Sequence, residues 1–151
     1  QANKLGLLNR LTFAWIGFNE LHHQVLNSEE REKVITCSSF VMTDDKKEAL
    51  EFIKQVKDIR GENFPVTYYA HNHASAIAAL AKSWEIAGEV SGPAALKTLP
   101  GLKFQGATSF ETINSESHHS SLNMLIAQGS RDNLNIIRRI GSVDANAGCK
   151  I

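Results

Sequence analysis

Apolar side chains return every three or four residues along four long segments of this sequence, and this helical periodicity constrains the fold more than any other feature. The segments are residues 5–26, 45–60, 74–88 and 118–140. Such spacing places the apolar side chains on one face of a helix, which can then pack against a core. We therefore predict a helix over each segment, with a break in the last one at Gly129 and a new start at Ser130.

Capping residues support two of the predicted boundaries. Asn27 and Glu30 have the spacing of a capping box, so a helix should begin directly after the first segment. Asp45 and Glu48 suit the first turn of the second predicted helix. Gly61 suits its end, because glycine adopts the backbone conformation that terminates helices.

Three shorter segments have the composition of strands. They are rich in β-branched and aromatic residues and cover 34–42, 64–70 and 102–110. Helical signals cover more of the chain, so the sequence predicts a mainly α protein, a bundle of four or five helices in a single domain over 1–151. The alternative is a small α/β domain that uses the three segments as strands.

Charge and cysteine content exclude several classes of protein. Lys and Arg together number 16, as do Asp and Glu, so the chain has no broad basic surface for general DNA binding or for anionic membranes. No apolar run reaches the roughly 18 residues needed to span a bilayer. Cys37 and Cys149 form no C-x-x-C motif. With no signal peptide recognisable in 5–26, we expect a cytoplasmic protein with reduced thiols.

Two tracts resemble HEPN domains, which are nucleotide-binding helical bundles. RLTFAWIGFNELH, residues 10–22, is similar to the first core helix of that family, and LIAQGSRDNL, residues 125–134, is similar to its late helix. The resemblance implies a helical homodimer that binds RNA or a nucleotide in a toxin–antitoxin or defence context.

Many HEPN ribonucleases carry an arginine followed, four to six residues later, by a histidine, and this chain has no such pair. The resemblance therefore implies binding without standard ribonuclease catalysis, and whether the chain is an enzyme stays open. Arg131, Asp132, Asn133 and Arg138 are the candidates for nucleotide or phosphate contact. In the alternative interpretation the first three form an ordinary first helical turn, with Asp132 complementing the helix dipole.

A second candidate site is the pair His71 and His73, which follows a strand-like tract. A His-x-His pair on a strand points both rings to one side, where they can share a metal. The string AHNHAS, residues 70–75, resembles the His-x-His of JAMM-type zinc proteases and RadC proteins, although their following aspartate is absent. The alternative is helix capping by the pair. No cofactor is otherwise indicated, so zinc and a small metal-dependent hydrolase form the alternative hypothesis.

A third candidate is Cys37. The string TCSSFV, residues 36–41, resembles the nucleophile motif of NlpC/P60 cysteine peptidases, where the cysteine opens a helix. This implies a cysteine amidase that pairs Cys37 with His71 or His73. The alternative, which we favour at this point, is a buried and unreactive thiol.

Overall fold

Helices and strands alternate along this chain, and the computed structural model describes residues 2–144. The fold is mixed α/β, so the predicted mainly α bundle is wrong and the α/β alternative fits in part. The chain divides into two compact units, one formed by Gln1–Tyr68 with Met124–Ile140 and the other by Tyr69–Asn123 with Gly141–Ile151. Each unit is described by itself below, and the single domain over 1–151 stays a prediction.

The elements follow one another in an irregular alternation. After a 3₁₀ turn at Leu7–Asn9 they are β1 (Phe13–Ala14), α1 (Glu20–Val25), α2 (Ser28–Arg31), β2 (Val34–Ser38), α3 (Lys47–Arg60), α4 (Tyr68–Ala87), α5 (Gly92–Thr98), β3 (Lys103–Gln105), β4 (Phe110–Thr112), β5 (Leu122–Gly129) and β6 (Leu134–Val143).

A four-stranded sheet in the order β1-β2-β5-β6 organises the first unit. β1 runs parallel to β2, and β2 runs antiparallel to β5 in a register that pairs Cys37 with Ile126. Only four residues connect β5 to its neighbour β6, so these two strands run antiparallel, because a parallel pair needs a long crossover. One face of the sheet is buried in a cluster formed by Phe18, Val34, Val41, Leu125, Ala127 and Leu134.

The predicted long helix over 5–26 is wrong, because two local features interrupt it. Phe13 and Trp15 donate their backbone N–H groups to carbonyl oxygens of the chain around β2, which makes this stretch a strand. Gly17 then adopts a φ of 91°, a left-handed conformation that side chains disfavour. Asn19 caps the short helix α1 by accepting from the N–H groups of Leu21 and His22.

The predicted helix over 118–140 is also wrong, and β5 and β6 occupy this region. From Leu125 to Gly129 buried and half-buried residues alternate, which is the period of a strand and not of a helix. Ser130 belongs to the turn between the strands, where its hydroxyl donates to the carbonyl oxygen of Asn133 and accepts from its N–H.

Other predictions stand in whole or in part. The second helix is confirmed as α3 from residue 47 on, the third overlaps the longer α4 over residues 74–87, and the capping box of Asn27 and Glu30 is confirmed on α2. The predicted strand over 34–42 is confirmed in its first half as β2. The strand over 102–110 is a hairpin of β3 and β4, and 64–70 is not a strand because α4 begins within it.

The second unit packs α4 against the hairpin. Ala79 of α4 shares a buried apolar cluster with Leu102, Phe104 and Ile113. α5 is held to α4 by the hydroxyl of Ser83, which lies 2.6 Å from that of Thr98. Across residues 2–144, no helix is both long and apolar enough to cross a membrane.

Candidate functional site

The residues predicted to contact phosphate lie in and after the loop between β5 and β6. Arg131, Asp132 and Asn133 are exposed there, so the predicted helical turn is wrong. The carbonyl oxygen of Arg131 accepts a 2.6 Å hydrogen bond from the guanidinium of Arg31, which ties this loop to α2. Arg138 is exposed on β6, and therefore it does not share a helical face with Arg131.

Two of these residues line a small pocket in the first unit. Its volume is about 80 Å³, enough for one small group, and it is built from α1, the segment after β2 and the β5–β6 loop. The lining residues are Glu20, His23, Gln24, Met42, Thr43, Asp132, Asn133 and Leu134. Asp132 and Asn133 thus meet residues far away in sequence.

Glu20 is the most unusual residue of this pocket. Its Oε1 accepts a 2.7 Å hydrogen bond from the backbone N–H of Met42, and its Oε2 is buried with no hydrogen-bond partner among the described residues. Burial raises the pKa of the Glu20 carboxyl to about 6, because removal from water disfavours the charged form. The N–H groups of Met42 and of Glu20 itself oppose this shift.

His23 and Thr43 fix the walls of the pocket. Nε2 of His23 lies 2.8 Å from the carbonyl oxygen of Ser130. A carbonyl oxygen only accepts, so Nε2 carries the proton and the ring is held in that tautomer. The hydroxyl of Thr43 donates to the carbonyl oxygen of Leu134. α1 and the segment after β2 are therefore both tied to the β5–β6 hairpin.

The charges around the pocket select one kind of group. Two carboxylates, Glu20 and Asp132, line it, whereas no lysine or arginine does among the residues that the structure describes. Neither Arg131 nor Arg138 belongs to this lining, so the phosphate contact predicted for them stays a prediction. A positively charged or proton-donating group suits the pocket better than an anion.

His71 and His73 lie on α4 and not at the end of a strand. His71 is buried, with Nε2 2.8 Å from the hydroxyl of Thr108, whereas His73 is exposed and its Nδ1 lies 2.7 Å from the carbonyl oxygen of Tyr69. Two positions along a helix turn a side chain by about 200°, so the rings diverge. Within residues 2–144, no three His, Cys, Asp or Glu side chains form a group that could hold a metal ion.

Cys37 lies in the middle of β2 and is exposed, so the expectation of a buried thiol is wrong. The cysteine of the NlpC/P60 motif opens a helix, and this one does not. Cys37 therefore lacks the helix N-terminus that would stabilise a thiolate. Cys149 lies outside the described residues.

A larger apolar groove adjoins β1. Its volume is about 520 Å³, and its apolar lining comprises Ala2, Leu8, Phe13, Ala14, Trp15, Ile16, Leu26 and Val34. Sequence reasoning misses this groove because the predicted first helix would bury several of these residues on one face. Ile16 is 90% exposed instead.

The chain is similar in structure to several solved proteins but matches no known protein family by sequence. No family model matches the chain, and neither does any curated protein. An amino acid ABC transporter substrate-binding protein from Pseudomonas fluorescens superposes on 96% of this chain and 41% of its own length, with a TM-score of 0.77 and 18% identity.

Two further solved structures agree. A solute-binding protein of an ABC transporter from Rhodopseudomonas palustris, in complex with 3,4-dihydroxybenzoic acid, matches 95% of this chain and 41% of its own (TM-score 0.76, 14% identity). A periplasmic binding protein from Burkholderia mallei matches 93% and 38% (TM-score 0.76, 11% identity). The chain thus has the fold of part of such proteins and spans about two fifths of their length. The predicted HEPN relationship is wrong.

Proposed function

We propose that this chain is part of a solute-binding protein that delivers a small molecule to an ABC transporter. The observation that carries the proposal is the structural likeness to such proteins over 96% of the chain at a TM-score of 0.77. Sequence identity to these proteins is 18% or less, so the structural likeness supports the fold alone. The function is inferred from the shared fold by analogy.

This proposal replaces the functions expected from the sequence. The structural neighbours are transporter components, so an RNA-binding toxin module is not supported, and neither are the zinc hydrolase and cysteine amidase alternatives. One neighbour is described as a periplasmic binding protein. We therefore propose that the protein acts in the periplasm and not in the cytoplasm, with a small solute and a transporter as its partners. The homodimer stays a prediction.

The pocket around Glu20 favours one class of solute. The neighbours are described as binding or transporting amino acids and an aromatic acid. Both classes carry a carboxylate, but only an amino acid also carries an ammonium group. Because Glu20 and Asp132 make the pocket acidic, it can attract an ammonium group and would repel a carboxylate.

Isothermal titration and amide NMR test this function. Near pH 7.5 we expect glycine and L-leucine to bind and to cause saturable amide shifts. Their affinity should be weaker for Asp132→Asn and unchanged for the matched variant Asp58→Asn, whose carboxylate is exposed on α3. Binding of 3,4-dihydroxybenzoate instead would keep the proposed function and reject the role of Asp132. Absence of any shift with amino acids and aromatic acids, in a folded sample, would overturn the proposed function.

A further inference from the structure

A second pocket lies entirely within the second unit and has a different chemistry. Its volume is about 430 Å³, within the roughly 300–1,000 Å³ typical of small-molecule sites. Its lining consists of Gly101, Thr112, Ile113, Asn114, Ser115, Ser121, Ser142 and Asp144. Four hydroxyls, one amide and one carboxylate therefore meet around one concavity, and no lysine, arginine or histidine of residues 2–144 belongs to the lining.

The hydroxyls of this pocket form no hydrogen bond within the described part of the chain. Elsewhere in the second unit, the hydroxyls of Ser75, Ser83 and Ser120 each hydrogen-bond a protein acceptor. The four in the pocket, which belong to Thr112, Ser115, Ser121 and Ser142, make no hydrogen bond to any residue between 2 and 144. No residue in that range therefore competes with a ligand for these four hydroxyls.

Backbone hydrogen bonds hold the rim of the pocket in place. The N–H of Gly101 donates to the carbonyl oxygen of Ile113 at 3.0 Å, and the N–H of Ser121 donates to that of Thr112 at 2.9 Å. Ile113 itself is buried and contributes an apolar side chain to the lining. A site held in this way loses little conformational freedom when a ligand binds.

Asn114 is oriented by the loop that follows it. Its Oδ1 accepts from the backbone N–H groups of Glu116 and Ser117, both at 2.9 Å. Because these bonds fix the oxygen of the amide, the Nδ2 group is left with two donors and no partner among the described residues. The amide thus adds directed donors to hydroxyls that can both donate and accept.

We propose that this pocket binds a neutral polyhydroxylated compound of the size of a monosaccharide. The hydroxyls and the amide can pair with the alternating donors and acceptors of a sugar. An aromatic acid or an amino acid would bring a carboxylate, and the described lining holds no cation to pair with it. The site shares no lining residue with the Glu20 pocket and does not depend on the proposed function.

Titration of the whole chain with D-glucose and D-ribose, followed by amide NMR, tests the proposal. We expect saturable shifts at residues 112–121 and an affinity about tenfold weaker in the double variant Thr112→Val/Ser121→Ala, which removes two hydroxyls at nearly constant shape. Ser28→Ala, an exposed serine of the first unit, is the matched control and should bind like the original chain.

Two outcomes would overturn the proposal. One is the absence of saturable shifts up to roughly 50 mM sugar, a concentration that would reveal even very weak sites. The other is equal binding by the double variant while its thermal unfolding midpoint is unchanged, because the hydroxyls would then not contact the sugar. Sodium benzoate should cause no shifts at 112–121, and saturable shifts there would reject the neutral class of ligand.

Discussion

The hydroxyl of Ser75 donates a 2.6 Å hydrogen bond to Oε1 of Glu111, a carboxylate that is only 2% exposed. Oε2 of the same carboxylate accepts from the hydroxyl of Ser120 at 2.9 Å. The Ser75 hydroxyl also accepts from the N–H of Ala107 at 2.9 Å. A buried carboxylate on β4 is thus satisfied from α4 on one side and from the chain before β5 on the other.

Removing the Ser75 hydroxyl should destabilise the chain. Ser75→Ala leaves Oε1 of a buried carboxylate and the N–H of Ala107 without their partner, which costs about 1–3 kcal/mol in free energy of unfolding. Urea denaturation monitored by circular dichroism measures the change. The matched control is Ser117→Ala, which removes the hydroxyl of an exposed serine in the same unit. A loss in Ser117→Ala equal to that in Ser75→Ala would contradict this account.

Gly129 should tolerate no side chain. A Cβ at this position would lie 2.1 Å from the backbone oxygen of Arg31, so the substitution Gly129→Ala forces α2 and β5 apart. We expect a loss of about 1–3 kcal/mol in unfolding free energy, as for overpacked cores. Gly92→Ala is the control, since a Cβ at that glycine would have no heavy atom within 4 Å and its φ is not positive. An equal loss of unfolding free energy in both variants would reject the steric explanation.

The region around the same glycine shows why the sequence pattern predicts a helix where the structure has strands. Gly129 and Ser130 do mark a turn, but the periodicity around them favours a helix, whereas buried positions alternate along β5. Adjacent apolar residues such as Ile136 and Ile137 satisfy a helical template and also a strand whose two faces are both partly apolar. The choice depends on pairing with β2, which a local pattern does not contain. α3 is predictable, because its apolar stripe and its exposed lysines agree locally.

Only some residues of the candidate site are predictable from the sequence, for a similar reason. A polar tract singles out Asp132 and Asn133, and both line the pocket around Glu20. Sequence reasoning misses Glu20 and His23, because their partners Met42 and Ser130 lie 22 and 107 positions away. The signal that could find Glu20 is the break at residues 17–19 before it, which makes it the first residue of a helix.

The pH dependence of stability should reveal Glu20. Its pKa in the folded chain is about 6, above the ordinary value of 4.5, so the folded state holds the proton more tightly than the unfolded state. The stabilisation is complete below about pH 4.5 and is lost as the pH rises through 6, a change of about 2 kcal/mol for this shift. Urea denaturation from about pH 4 to pH 7.5 measures it.

Glu20→Gln isolates this contribution from the other titrating groups that face the pocket, His23 and Asp132, since both are retained. The variant minus original difference in unfolding free energy should rise by about 2 kcal/mol between pH 4.5 and 7. Glu29→Gln removes an exposed carboxylate from α2 and should give a nearly constant difference. If the difference in unfolding free energy for Glu20→Gln is also independent of pH, the Glu20 carboxylate is hydrated in the folded chain and is not buried in the pocket.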